Sequence, residues 1–330
     1  MPARPSAPPT EALDGDGDAV STVEQIAEIP VAETRRRRAP RRPKLKDTWW
    51  RHAVGILGAL FALFPPAYVL SAAFNGNQSL VGGGLIPRHI SLANFHALFS
   101  TKQTNTSLPP AHYARWFANT MLVAGTTAIL TVLLSALAAY AFSRFRFRGR
   151  RAGMMFLLLI QMFPQLLLIV AIYLIVFHVG AIFGILGLNK LTALIIVYLG
   201  GALGVNTWLM KGFFDSIPRE LDESARVDGA TPAQIFWGVV LPLAVPVLAV
   251  IALFSFITTI NEFAIASALL QTTNHYTLPL GLYQFVNQEY GRHWGPFAAG
   301  VVIAALPAAL IFAFLQRYIV SGLTQGSVKG

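Results

Sequence analysis

Cysteine is absent from the 330 residues, which excludes a disulfide framework and any thiolate-held metal. Charge is scarce: 12% of residues are charged, about half the ~25% of a soluble domain. Acidic residues are scarcer still, 15 against 25 lysines and arginines. His52, His178, His275 and His293 are scattered and share no recognised metal-ligand spacing. The acidic run Asp14–Asp18 fails as a calcium loop, because Ala19 stands where the turn needs glycine and Gln25 where it needs glutamate. No G-x-x-x-x-G-K-[ST] occurs, so no such loop cradles nucleotide phosphates.

What fills the chain instead is apolar. Hydrophobic residues make up 55%, in charge-free runs of ~20 residues, each enough to cross a bilayer core of ~30 Å. The runs are continuous rather than alternating, which excludes a membrane barrel. The expected fold is an all-α integral membrane protein with six transmembrane helices, at residues ~52–74, ~116–142, ~153–177, ~191–210, ~243–267 and ~297–319. The first is too long for a signal-peptide core, so Ser71–Ala73 is read as span rather than cleavage site. Residues 1–48 are rich in Pro, Ala, Arg and Asp and poor in aromatics. They are expected to be a disordered basic extension, whose run Arg35–Lys46 faces anionic membrane lipid rather than nucleic acid. With both termini in the cytoplasm, 20 lysines and arginines fall inside and 5 outside, the asymmetry that orients membrane proteins.

The helices carry features of a moving bundle. Pro65, Pro66, Pro164, Pro246 and Pro307 lie in or near spans, where neighbours or water must satisfy the freed carbonyls. Gly200–Gly204 and Gly180–Gly184 have small-xxx-small spacing, which fits close helix packing.

One stretch departs from this pattern. Residues 216–242 are polar, charged and, by the charge count, cytoplasmic. Ser216 and Pro218 read as a helix start, with Glu220, Asp222 and Glu223 near the positive end of its dipole. Ile217, Leu221 and Ala225 read as one apolar stripe. Asp228-Gly229 stops that helix. Thr231, Pro232 and Gln234 start a second one with a capping box, and Pro242 ends it.

Glu223-Ser224-Ala225, three residues, Gly229, nine residues, Val239, one residue, Leu241-Pro242 resembles the "EAA" motif, E-A-A-x3-G-x9-I-x-L-P, of permease subunits of ATP-binding-cassette importers. Ser224 and Val239 are conservative departures from it. The likeness extends over residues ~115–330 and is strongest to MalG-type permeases of maltose/maltodextrin importers, through Gln161–Pro164, Tyr198–Gly201, Asp228–Phe236 and Gly322–Gly330. The resemblance implies a type I importer permease fold in the bacterial cell membrane. It also implies a non-catalytic subunit that binds no cofactor, with ATP and Mg on a partner ATPase. Its partners would be a homodimeric ATP-binding subunit, a second permease subunit of the MalF type and an extracytoplasmic sugar-binding protein. It assigns Glu223, Ser224, Ala225, Asp228, Gly229, Ala230, Thr231 and Pro232 to a coupling helix on the ATPase. Tyr283, Gln284, Asn287, Tyr290 and Trp294 fall in an external loop facing the binding protein, and the tail residues Thr324, Gln325, Gly326 and Ser327 face the ATPase. By composition alone the loop's aromatics serve equally as interfacial anchors.

The domain reading that follows is residues 1–48 as extension, 49–114 as first span and external loop, 115–320 as permease core, and 321–330 as cytoplasmic tail. Glu262 lies near the outer end of the fifth span; it lines the translocation path, holds a helix break, or reaches out to the interface. Trehalose or another oligosaccharide is the alternative cargo. An ion-driven secondary transporter would need inverted repeats, and none is visible. An intramembrane enzyme would need a constellation of reactive groups within the spans, where Glu262 stands alone.

Overall fold

The structure, a computed structural model, describes residues 45–76, 89–100, 112–287 and 293–325. Most of the basic extension lies outside the described residues, as do Tyr290, Gly326 and Ser327. The chain divides into two units, residues 1–58 and 59–330. The described part of the first is the start of helix α1 (Leu45–Phe74), where Arg51 stacks over the Trp50 ring at 5.4 Å.

Among its described residues the second unit is built of helices and forms no strand, only an isolated bridge between Asn75 and Ile90. Helix formation is what lipid demands of an apolar chain, because each backbone polar group must be satisfied within its own segment. The end of α1 is closed from α2 (Ala93–Phe99): the buried Asn94 amide donates to the Ala73 carbonyl at 3.0 Å and the Asn75 carbonyl at 2.8 Å.

The centre is α3 (Tyr113–Arg144), packed along α6 (Leu191–Ser216) and α10 (Val245–Ile260). Between Trp116 and Tyr140 the buried face of α3 is mostly small side chains, Ala124, Ala128, Ala136 and Ala139, interleaved with Thr120, Thr127, Thr131 and Ser135. Small residues let helix backbones approach where lipid supplies no hydrophobic drive between helices. Gly204 on α6 works the same way: a Cβ there would stand 2.7 Å from the Leu157 carbonyl oxygen on α4 (Arg150–Gln161).

Among the described residues, five helices are long and apolar enough to cross a membrane, or six when the bent pair Pro232–Leu243 and Val245–Ile260 is taken as one span. Two of the expected spans are broken. Residues 153–177 are not one helix: α4 stops at Gln161 and α5 (Gln165–Ile182) starts after Pro164. Proline lacks the N–H and pushes the preceding residue out of the helical region. With 12 residues, α4 is ~18 Å long, short of a ~30 Å hydrocarbon core. Residues 243–267 are likewise interrupted, at 261–263, before α11 (Ala264–Leu269). At the far end, α13 (Trp294–Gln325) runs through Pro307 to Gln325. Thr324 and Gln325 close this helix.

Candidate functional site

Residues 216–242 form two short helices joined by a tight turn. Helix α7 is Arg219–Val227 and carries Glu220 and Asp222 in its first turn. Ser216 does not cap it. Its hydroxyl donates to the Phe213 carbonyl at 2.6 Å within α6, because Ile217 and Pro218 are extended and carry the serine away from the amides of α7. The C-terminus closes as expected around Gly229, at φ +83°. The Gly229 N–H reaches Arg226 O at 3.0 Å and the Ala230 N–H reaches Ala225 O at 2.9 Å, the paired bonds of a Schellman motif.

Helix α8 (Pro232–Ile235) starts with the expected capping box. The Thr231 N–H donates to Gln234 Oε1 at 2.8 Å, and the Gln234 N–H to Thr231 Oγ1 at 3.3 Å. Pro242 does not end the segment. The chain widens into a π-turn at Phe236–Val240, continues as α9 (Leu241–Leu243) and bends by 78° before α10. Pro246, in the first turn of α10, needs no N–H partner there.

One face of this helix pair is buried. Ile235, Phe236 and Val240 pack with Ala136, Ala139 and Tyr140 of α3 and Met210 and Phe214 of α6. Ile217 joins them, but Leu221 is exposed and Ala225 half-buried. The expected stripe fails because Ile217 precedes the helix. The opposite face, Glu223, Ser224, Asp228, Gly229, Thr231 and Pro232, is exposed, with Ala230 half-buried behind it. Val227, 88% exposed, and Trp237, 53% exposed, are apolar members of that outer surface.

An ion pair that the sequence does not announce fixes the pair to α3. Arg144 Nε lies 2.7 Å from Asp222 Oδ2, with side chains 3% and 4% exposed; the contact is an ion pair rather than a well-directed hydrogen bond. Arg144 also donates to the Ile217 carbonyl at 3.2 Å, and Arg219 to the Ser143 carbonyl at 3.3 Å. Ser143 Oγ donates to Asp215 at 2.7 Å, and the Tyr140 hydroxyl to the Pro232 carbonyl at 3.2 Å. The end of α3 thus touches α6, α7 and α8 together. Arg144 opens the run Arg144–Arg151, which reads in sequence as a solvated loop; no local spacing ties it to Asp222.

Glu262 sits in the break between α10 and α11. Oε1 accepts from the Ile265 N–H at 2.7 Å, and Oε2 from the Ala266 N–H at 3.1 Å and from the Tyr198 hydroxyl. The carboxylate is therefore turned inward as the cap of α11, not out to the interface. It also lines a cavity of about 290 Å³ with Tyr198, Asn206, Ser255, Thr258 and Gln165.

The external residues are only partly in a loop. Tyr283 ends α12 (Leu278–Tyr283) and its ring meets Phe263 at 5.1 Å. Trp294 begins α13 and stands edge-on to Phe297 at 5.9 Å. Both line an apolar groove of about 630 Å³. Gln284 and Asn287 are half-buried between them in sequence, and Phe285 is core, 6.4 Å from the Trp116 ring.

A bundle of apolar, span-length helices bearing a polar helix pair defines an integral membrane protein, and comparison with known proteins gives its class. The family described as "Binding-protein-dependent transport system inner membrane component" matches residues 131–325, and the chain belongs to it. The maltose/maltodextrin transport system permease protein MalG of Escherichia coli K12 is 41% identical over 283 residues, 84% of this chain and 95% of that one. The galactooligosaccharides transport system permease protein GanQ of Bacillus subtilis is 38% identical over 272 residues, 82% of this chain and 92% of that one. In fold, the chain resembles a bacterial ABC transporter involved in the import of the acidic polysaccharide alginate, with a TM-score of 0.67 at 24% identity, covering 85% of this chain and 99% of that chain.

Proposed function

We propose that this chain is the non-catalytic permease subunit of an ATP-driven, binding-protein-dependent importer that carries maltose/maltodextrin-type oligosaccharides across a bacterial cell membrane. The observation that carries the reading is the exposed turn from Glu223 to Pro232, anchored from behind by α3 and presenting Val227 outward. A compact, buttressed protrusion can be gripped by a moving partner and pass force to the spans. The partner is a homodimeric ATPase that holds ATP and Mg, and the C-terminal residues from Thr324 onward reach toward it. A second permease subunit of the MalF type completes the path, and an extracytoplasmic sugar-binding protein delivers solute to the side bearing Tyr283, Gln284, Asn287, Tyr290 and Trp294. Both termini face the cytoplasm, as the distribution of lysine and arginine requires.

A second cargo reading, a galactooligosaccharide, is favoured by the similarity to GanQ. Affinity purification from the native host, followed by uptake into proteoliposomes with a panel of labelled di- and oligosaccharides, tests both readings. An ATPase should co-purify, and α-glucosides should be carried. Purification without an ATPase would overturn the importer reading; uptake of galactooligosaccharides in place of α-glucosides would move the cargo to the second.

A further inference from the structure

The geometry points to a saccharide-contact site on this chain itself: the 290 Å³ cavity between α6, α10 and the start of α5 holds the hydroxyl groups of the passing oligosaccharide. The inference rests on the importer reading and adds where, and through which groups, the solute is touched.

The cavity runs along the bundle's central helices, from Asn206 well inside α6 (Leu191–Ser216), past Tyr198, to Ser255 and Thr258 in the last two turns of α10 (Val245–Ile260) and Glu262 just beyond it. Polar side chains within spans are expensive and mark solute paths by default. Its volume sits at the small end of the ~300–1,000 Å³ of ligand sites, suited to part of an oligosaccharide, and exposed Val205 and Phe254 on its rim leave it open on one side.

The chemistry of the lining selects the ligand. Amides come from Gln165 and Asn206, and hydroxyls from Ser255 and Thr258. Asn206 spends one amide hydrogen on the Ala202 carbonyl at 2.9 Å, and Thr258 its hydroxyl hydrogen on the Phe254 carbonyl at 2.8 Å. Both keep acceptor capacity. Ser255 is 4% exposed and its Oγ is closed off from the space, so the groups left to a ligand are the Gln165 and Asn206 amides and the Thr258 hydroxyl oxygen. The one carboxylate, Glu262, is already engaged by two backbone amides and the Tyr198 hydroxyl. What faces the space is a set of amides and hydroxyls beside one carboxylate whose lone pairs are largely taken, a lining that can meet the hydroxyl groups of a saccharide.

The absence of cysteine gives a clean test. Asn206→Cys and Thr258→Cys are each made separately, so that the variant carries the only thiol of its chain, and each is assembled with its ATPase and companion permease in proteoliposomes. Each thiol is reacted with a small neutral maleimide, with and without saturating maltotriose delivered by the binding protein, against glycine or sodium chloride at matched osmolarity. Maltotriose should slow the reaction several-fold at both positions, and the glycine and salt controls should not. Independently, Asn206→Ala combined with Thr258→Val should raise the KM for maltotriose uptake by about 2–10-fold, the worth of a hydrogen bond or so. Thiols that do not react, or that react equally with and without maltotriose, overturn the site; so does protection by sodium ion. Failure of the importer reading looks different: the wild-type complex would then show no saccharide-driven uptake at all.

Discussion

Gly229 is the residue on which the outer turn depends. Its φ of +83° lies where side chains are disfavoured, yet a Cβ added there meets nothing within 4 Å. The constraint is conformational and not steric. Gly229→Val should therefore cost about 1–3 kcal/mol locally, while Gly229→Asn, which tolerates the left-handed region, should cost less. Co-purification of the ATPase should be lost with valine and kept with asparagine; equal retention by both would remove the turn from the coupling argument. The Arg144–Asp222 pair sets a second residue-scale expectation. Removing one partner leaves a charge buried alone, at about 3–5 kcal/mol. Asp222→Ala should thus lower the thermal unfolding midpoint in detergent more than Arg144→Met combined with Asp222→Leu does. A double variant no more stable than the single would show that the two charges do not act as a pair.

At the scale of elements, the break at residues 261–263 is held by one carboxylate. Glu262→Leu removes the acceptor for the Ile265 and Ala266 amides, each such loss being worth about 1–3 kcal/mol. Hydrogen exchange at residues 264–270 should speed up by about tenfold or more, with exchange in α3 unchanged; slow exchange in the variant would mean that packing of Ile265 and Ala266 alone seats α11. What could be read from sequence follows the range of the forces involved. The capping box at Thr231–Gln234 and the stop at Gly229 span three or four residues, and both stand in the structure. The break at Pro164 was masked by the apolar runs Met154–Ile160 and Leu166–Phe177 around it, although Gln161 and Gln165 flank the proline. The cap expected at Ser216 failed because Pro218 lets α7 begin only at Arg219. The cavity joins residues from four helices, and no period along one segment brings Gln165, Asn206 and Thr258 together.

For the whole molecule, the expectation is topological. Reporter fusions after Asn75 and Lys190 should read outside the cell, and those after Arg150 and Arg226 inside. An external reading at Arg226 would put the exposed turn on the wrong side for a cytoplasmic ATPase. The contacts at the end of α3 also revise which spans a moving partner pulls. Tyr140, Ser143 and Arg144 bond to α6, α7 and α8, so displacement of the turn loads α3 as well as the two spans joined to it in sequence. The same ion pair has a consequence for biogenesis. Asp222 follows Arg144 by 78 positions, and at ~5–20 residues per second of synthesis the arginine leaves the ribosome several seconds before its counter-ion. Throughout that interval its charge must stay in water at the membrane edge, so the end of α3 can lock only after the later helices have been made and folded back against it.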